Sequence, residues 1–272
     1  MTANKTRTPT AVAGHGRWGG GEPGGQTSRF PVTGSEEGGS QSCVFGPIMV
    51  RFDERILAPR AWTLLQSRWA ARLAKDAPPG PIVELFAGAG HIGLAAAVLA
   101  GRKLIQVEKD AVAAAYATLN AVHAGWADMT VVRHGPVQTS LDSHERFPII
   151  LADPPYIPSA AVDRWPGDPR WAIDGGPDGT ALVQLGLRLA AQHLHAEGSL
   201  LLQVAGKHQA GVIGEMVGAQ FPALHYGETR SHDDERAVMS FTKERETDVG
   251  CRDCARPQKS SSKATAPDTP IW

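Results

Sequence analysis

From residue 47 to about residue 246, short β-rich apolar runs alternate with Ala/Leu-rich stretches of helical length, and this alternation constrains the fold more than any other feature. A chain so patterned buries its strands on both faces, as in a parallel sheet with helices packed on either side. Strands are expected at 82–86, 103–107, 129–132, 148–152 and 199–204, with helices over 91–100, 110–124, 179–195 and 207–220. A leading helix over about 60–75 places Trp62, Leu65, Trp69 and Leu73 on one face, and Pro78-Pro79-Gly80 ends it. The stretches 223–226 and 237–242 read as a closing antiparallel pair at the sheet edge. The expectation is one α/β domain over 47–246, Rossmann-like and doubly wound.

The flanks differ in kind. Of residues 1–46, 11 are Gly and 3 are Pro, a composition that cannot build a core and is expected to be a disordered arm. Residues 247–272 run through Ser, Thr, Lys, Pro and Ala and are expected to be a disordered tail. Cys43, Cys251 and Cys254 all fall outside the apolar middle, so no disulfide framework is expected, and with no second pair beside Cys251 and Cys254 no metal site is expected either. The net charge is −1, and the middle stretch holds 19 basic against 22 acidic residues, without the basic field of a dedicated nucleic-acid binder. No run approaches the ~20 apolar residues of a membrane helix, and no apolar signal-peptide core follows Met1, so a soluble, cytoplasmic protein is expected.

Two motifs carry chemistry. The strand at 82–86 runs into Ala87-Gly88-Ala89-Gly90-His91-Ile92-Gly93 and then a helix, a G-x-G-x-x-G turn that lets a ligand approach backbone N–H groups at a helix N-terminus. Glu108 closes the next strand 20 residues after Gly88, where a carboxylate accepts hydrogen bonds from both ribose hydroxyls, so the cofactor is expected to contain adenosine. Asp153-Pro154-Pro155-Tyr156 follows the apolar strand at 148–152 and faces the crevice at the carboxyl end of the sheet.

Asp153 and the carbonyl of Pro154 can accept both N–H bonds of an amide or exocyclic amine and so aim its lone pair at an electrophile. The prolines fix the turn, and Tyr156 is placed to stack on a planar group and exclude water.

This turn resembles the [N/D/S]-P-P-[Y/F/W] signature of S-adenosylmethionine-dependent methyltransferases that methylate a nitrogen conjugated to a planar system. The chain further resembles the HemK/PrmC-type family of protein N5-glutamine methyltransferases, which act on release factors. Residues 52–63, with Pro59-Arg60, resemble that family's D-x-x-V-L-I-P-R-P-E-T run. Residues 168–179 resemble its E-P-x-x-A-L-x-G-G-x-D-G loop, and residues 233–239, with Arg236, its D-x-x-x-x-R-V strand.

The resemblance, over about residues 48–243, implies a seven-stranded methyltransferase sheet binding S-adenosyl-L-methionine. Its methionine portion would lie by Glu84, Phe86, Gly88 and Gly90, its ribose on Glu108 and its methyl group near Asp153, with Asp153, Pro154 and Tyr156 catalytic. It implies transfer to a protein glutamine side chain, with a translation factor as partner. Asp153 stands where that family usually has Asn, and Asp is common in nucleic-acid amine methyltransferases. RNA guanine N2-methylation is therefore the alternative, and a non-catalytic S-adenosylmethionine-binding protein a third reading.

No acid for the adenine amine is assigned, because the third strand ends in Arg133-His134-Gly135. The family's N-terminal helical domain has no expected counterpart. Gly24-Gly25-Gln26 repeats the tripeptide which that family methylates, in an arm whose glycine content can itself produce it. His91, His134, His193, His195 and His225 are expected in surface or capping roles, and Trp165 and Trp171 flank the acceptor loop.

Overall fold

The computed structural model describes residues 34–35 and 39–243. An N-terminal antiparallel sheet of β1 (Gly34–Ser35), β2 (Gln41–Phe45) and β3 (Ile48–Phe52) precedes α1 (Leu64–Leu73). The main sheet then alternates with helices: β4 (Ile82–Leu85), α2 (His91–Ala100), β5 (Leu104–Glu108), α3 (Ala111–His123), β6 (Thr130–His134), β7 (Phe147–Ala152), α4 (Arg170–Ile173), α5 (Ala181–His193), β8 (Leu194–Val204), α6 (Gly206–Gln220), β9 (His225–Asp233) and β10 (Arg236–Thr242). Its seven strands stand in the order β6-β5-β4-β7-β8-β10-β9. β6, β5, β4, β7 and β8 are parallel, and β10 runs antiparallel to both its neighbours.

The alternation of side chains along the strands makes two apolar layers. Ile149 and Leu151 of β7 face α1, α2 and the N-terminal hairpin, while Ile150 and Ala152 face α5 and α6. All six residues of β7 are buried, as a strand covered on both faces requires. Asp110 caps α3 by accepting from the Ala113 N–H at 2.9 Å. Arg102 holds the Pro78-Pro79-Gly80 break by donating to the carbonyls of Ala77 (2.8 Å) and Pro78 (2.6 Å).

The ordered fold starts earlier than composition implies. Gln41–Phe45 forms β2, with Cys43 and Phe45 buried at 1% and 0% exposure, so the disordered arm does not extend to residue 46 and one cysteine belongs to the core. The glycines before it dilute a segment that still ends in the apolar run Cys43-Val44-Phe45, and that run carries the structural information. The closing pair is as expected except that β9 runs on to Asp233, an exposed edge strand with little apolar signal. Gln26, Cys251, Cys254 and the tail lie outside the described residues.

Asn120 joins the hairpin to the sheet. Fully buried in α3, it accepts from the Arg51 N–H (2.7 Å) and donates to the carbonyls of Arg51 (3.1 Å) and Ala89 (3.0 Å). Asn120→Ala strands three backbone groups and is expected to lower unfolding free energy by about 2–4 kcal/mol. Urea denaturation measures it, and a loss below about 0.5 kcal/mol contradicts this role.

Candidate active site

Three chain segments leave the sheet side by side. β4 lies between β5 and β7, with Leu85 opposite Val107 on one side and Ala152 on the other. The turn from Phe86, the carboxylate of Glu108 and the turn from Asp153 therefore share the carboxyl end of the parallel strands, where open α/β sheets hold ligands.

Polar side chains rising from the strands fix the first turn. Phe86 takes φ 59°, a conformation that bulky residues rarely adopt, and its ring packs toward Gly186 of α5. At Gly90, with φ 76°, a Cβ would lie 2.5 Å from Gln106 Nε2 and 2.9 Å from Ala117 Cβ, so only glycine fits. Gln106, fully buried in β5, donates from Nε2 to the Gly90 carbonyl (2.7 Å) and to Glu84 Oε2 (2.6 Å). The Gly88 N–H donates to Glu108 Oε2 at 2.7 Å and the Asp110 N–H donates to Oε1 at 2.8 Å. Each carboxylate oxygen keeps a further lone pair, enough for a vicinal diol.

The second turn, Asp153 to Tyr156, is strapped by residues 168–179. The Ile157 N–H donates to the Ile173 carbonyl (3.0 Å) and the Gly175 N–H donates to the Ile157 carbonyl (2.8 Å). A Cβ at Gly175 would lie 2.7 Å from the Pro155 oxygen and 2.8 Å from Tyr156 Cα, so strap and turn touch backbone to backbone. Gln209 of α6 accepts from the Ala205 N–H at 2.7 Å and reaches the Tyr156 and Gly179 carbonyls, each at 3.3 Å. Arg60 forms an ion pair with Asp168 of the strap, the two side chains being 13% and 6% exposed. Arg236 pairs with Asp233 at 2.8 Å and lies 4.0 Å over the Trp62 ring.

Three carboxyl groups converge here, and each is held above its ordinary range. Burial pushes Glu84 up to about 8 against the help of the Gln106 and Gly93 hydrogen bonds, with further repulsion from Asp153 and Glu108. Burial pushes Asp153 up to about 7, partly offset by Arg60, and raises Glu108 against its backbone hydrogen bonds. Above Gly88 a Cβ would meet nothing within 4 Å, so the backbone there is open to a ligand. A ligand carrying a ribose fits the lone pairs that Glu108 keeps.

The residues expected around cofactor and acceptor thus meet at one end of the sheet, with differences in detail. Glu84 is 2% exposed and lies beneath the Gly-rich turn, bonded to Gln106. His91 and His193 are core residues, not surface ones: His91 meets Phe45 edge-on at 4.8 Å and burial pushes it down to about 3, while His193 lies 3.1 Å from the Glu145 carbonyl. A His in an apolar run reads as exposed on polarity alone, and the hairpin that covers His91 has no counterpart in that reading. Arg133 is committed to Glu145 at 2.7 Å. Trp171 packs on the core from α4.

Gln106 and Gln209 were not singled out by sequence. A polar residue interrupting Leu104-Ile105-Gln106-Val107 is a usable signal for the first, whereas nothing marks the second. Among the described residues no group of three or more His, Cys, Asp or Glu could hold a metal, and no helix is long and apolar enough to cross a membrane.

The catalytic domain of hMettl16 in complex with the MAT2A 3'UTR hairpin 1 superposes with a TM-score of 0.56 at 16% identity, covering 80% of this chain and 76% of that one. The fold is that of the class I methyltransferases. The chain is 27% identical over 173 residues to the ribosomal protein uL3 glutamine methyltransferase of Burkholderia pseudomallei, covering 59% of this chain and 56% of the relative. It is 31% identical over 172 residues to the release factor glutamine methyltransferase of Mycolicibacterium smegmatis, covering 60% and 58%. The chain thus spans little more than half the length of these curated relatives. No family model matches it.

The carboxyl cluster sets a pH dependence of stability. Glu84 and Asp153 ionise at higher pH folded than unfolded, so their contribution is complete below pH 4 and is lost as pH rises through about 7 and 8. His91 acts oppositely, its contribution present above pH 6.5 and lost as pH falls toward about 3, so only the carboxyls act above 6.5. The ligand-free methyltransferase fold is expected to lose about 1–2 kcal/mol between pH 6.5 and 8.5, and Glu84→Gln to flatten that slope. Urea midpoints across this window measure it; equal slopes in both proteins count against the assignment to Glu84.

Proposed function

We propose that the chain is an S-adenosyl-L-methionine-dependent N-methyltransferase acting on a planar amide nitrogen, most simply a glutamine side chain of a protein of the translation apparatus. The observation that carries this reading is the Asp153–Tyr156 turn, fixed from both sides by the 168–179 strap and Gln209 and placed beside the Gly-rich turn by the β4–β7 register. Similarity to curated glutamine methyltransferases supports the acceptor class. When bound, S-adenosylmethionine would supply the methyl group on a sulfonium, whose S–CH3 bond breaks as the N–C bond forms and leaves the neutral thioether S-adenosylhomocysteine. Gly88 leaves room beside the Phe86 turn, Gly90 lets Gln106 approach it from beneath, Glu108 would accept from the ribose, and Glu84 keeps the turn in shape through Gln106.

At the acceptor, Asp153 and the Pro154 carbonyl accept the two amide N–H bonds, which turns the nitrogen lone pair away from both and into the crevice. Tyr156 stacks on the amide plane and excludes water. The nitrogen loses a proton as the N–C bond forms, and a carboxyl held near neutrality by burial is suited to receive it. This distinguishes Asp153 from the Asn usual in the HemK/PrmC-type family, which can hold the amide but cannot take the proton.

Asp153→Ala is expected to lower kcat/KM about 10²-fold or more, while S-adenosylhomocysteine affinity by calorimetry changes little. Asp153→Asn should retain measurable transfer and lose the rise in rate through pH 7. A variant that keeps the full wild-type rate and pH profile removes Asp153 from the mechanism. The acceptor itself is read by incubating labelled cofactor with ribosomes, release factors and total RNA. Label in a protein glutamine is the expected result. Label confined to RNA moves the assignment to guanine N2, the reading that an Asp at this position also permits, and no label with tight cofactor binding moves it to a non-catalytic protein.

A further inference from the structure

Phe86 is the first residue past β4, and its backbone turns its ring to the side where the strand pleat would not send it. The pleat places Val83 and Leu85 in the α5–α6 layer and Glu84 toward α2, where a Cβ on Gly93 would lie 2.9 Å from Glu84 Cβ. Continued alternation would carry the Phe86 side chain to the α2 side as well. Instead φ is 59°, and the ring packs in the α5–α6 layer. Glycine takes such a φ without penalty, so a bulky residue here means that the ring is what the strained backbone serves.

Gly186 of α5 defines the place that the ring fills. A Cβ on Gly186 would stand 3.6 Å from Phe86 Cε2 and 3.9 Å from Ala152 Cβ, so the ring, the helix backbone and the last residue of β7 surround one point. Ala152 is where the acceptor turn leaves the sheet. From α1 its carbonyl accepts a hydrogen bond from Gln66 Nε2 at 3.1 Å, and Tyr156 of the same turn packs on the same apolar layer as Phe86. The ring therefore belongs to the cofactor turn by its backbone and to the base of the acceptor turn by its packing.

We propose that Phe86 is a positioning residue that sets the spacing between the two turns, its ring acting as a wedge between α5 and Ala152. The proposal rests on the reading of those turns as cofactor and acceptor sites. Transfer needs the acceptor nitrogen in line with the S–CH3 bond, so a small error in spacing costs rate far more than binding. Each turn keeps its own partners without the ring: the Gly88 N–H donates to Glu108, and the Ile157 N–H donates to the Ile173 carbonyl of the strap.

The test is amide hydrogen exchange by NMR in the full, ligand-free chain, which needs neither cofactor nor acceptor. In Phe86→Leu the amides of Ile157 and Gly175 are expected to exchange about tenfold faster, with the amides of β5 unchanged. Adding Gly186→Ala to Phe86→Leu puts a methyl group 3.9 Å from Ala152 Cβ, in the space that the ring vacates, and is expected to return part of the Ile157 protection. In kinetics, Phe86→Leu should lower kcat about tenfold while acceptor KM and S-adenosylhomocysteine affinity stay within about twofold.

Exchange at Ile157 that is unchanged in folded Phe86→Leu overturns the proposal, and so does acceleration that is equal in β5, which makes the ring ordinary core packing. Should Phe86→Leu fail to fold, Gly186→Val presses on the ring from α5 and is judged by the same two amides against β5. Failure of the functional reading shows differently, as no transfer by the wild-type protein.

Discussion

The register of β4 against β7 is the constraint from which the rest of the site follows. With Leu85 paired to Ala152, the last residues of two adjacent parallel strands stand at one level, and the chain must leave both there. One residue of slip would reverse which side chains face which layer, moving Val83 and Leu85 from the α5–α6 side to the α1–α2 side. Both layers are close-packed, so the register is held by the core on each face and not by the turns it positions. Each turn then needs only local devices: glycine at Gly90 where Gln106 approaches, and two prolines with a strap where a carbonyl has to be aimed.

Those devices are costly in a particular way. Gln66 donates to the carbonyls of Ala152 and Leu201, Gln106 to the carbonyl of Gly90 and the carboxyl of Glu84, and Gln209 to the carbonyls of Tyr156 and Gly179, so three buried amides hold backbone of the sheet and its turns. A buried amide satisfied on one side stabilises little by itself, but it makes one backbone position much cheaper than its neighbours. Specificity of geometry is what such residues contribute. The raised carboxyls show the same cost in electrostatic form, since burial disfavours their charged forms.

How much of this could be read from the chain depends on whether a residue's partner lies near it in sequence. β4, β5, β6, β7 and α2 were legible to within a residue or two, because buried strands leave apolar runs and each glycine turn sits beside its own strand, whereas β8 begins at Leu194, five residues before the expected 199, where His195, Glu197 and Gly198 break the apolar run. The Gly88, Glu108 and Asp153 positions were legible for the same reason. β2 was hidden at the end of a glycine-rich segment whose average composition outweighed the run Cys43-Val44-Phe45, and without it β3 had no expected partner. Arg60 with Asp168 and Gln209 with Tyr156 join positions 108 and 53 residues apart, and no periodicity encodes such pairs. His91 shows the limit most clearly: its burial is set by Phe45, across the molecule from the pattern that identified its helix.

Asp153 then bears on what kind of nitrogen the crevice can serve. An amide acceptor brings two N–H donors and a carbonyl oxygen, and its nitrogen becomes acidic only as the new bond forms. A neutral side-chain amide at Asp153 would hold this geometry and leave the proton to solvent, whereas a carboxyl near neutrality offers a local base at the moment of need. The requirement on the protein is a carboxyl whose pKa lies near the working pH: with an ordinary acidic pKa its carboxylate is a weak base, and held protonated it is a donor toward an N–H. Burial alone would drive it to the second state, and Arg60 opposes that.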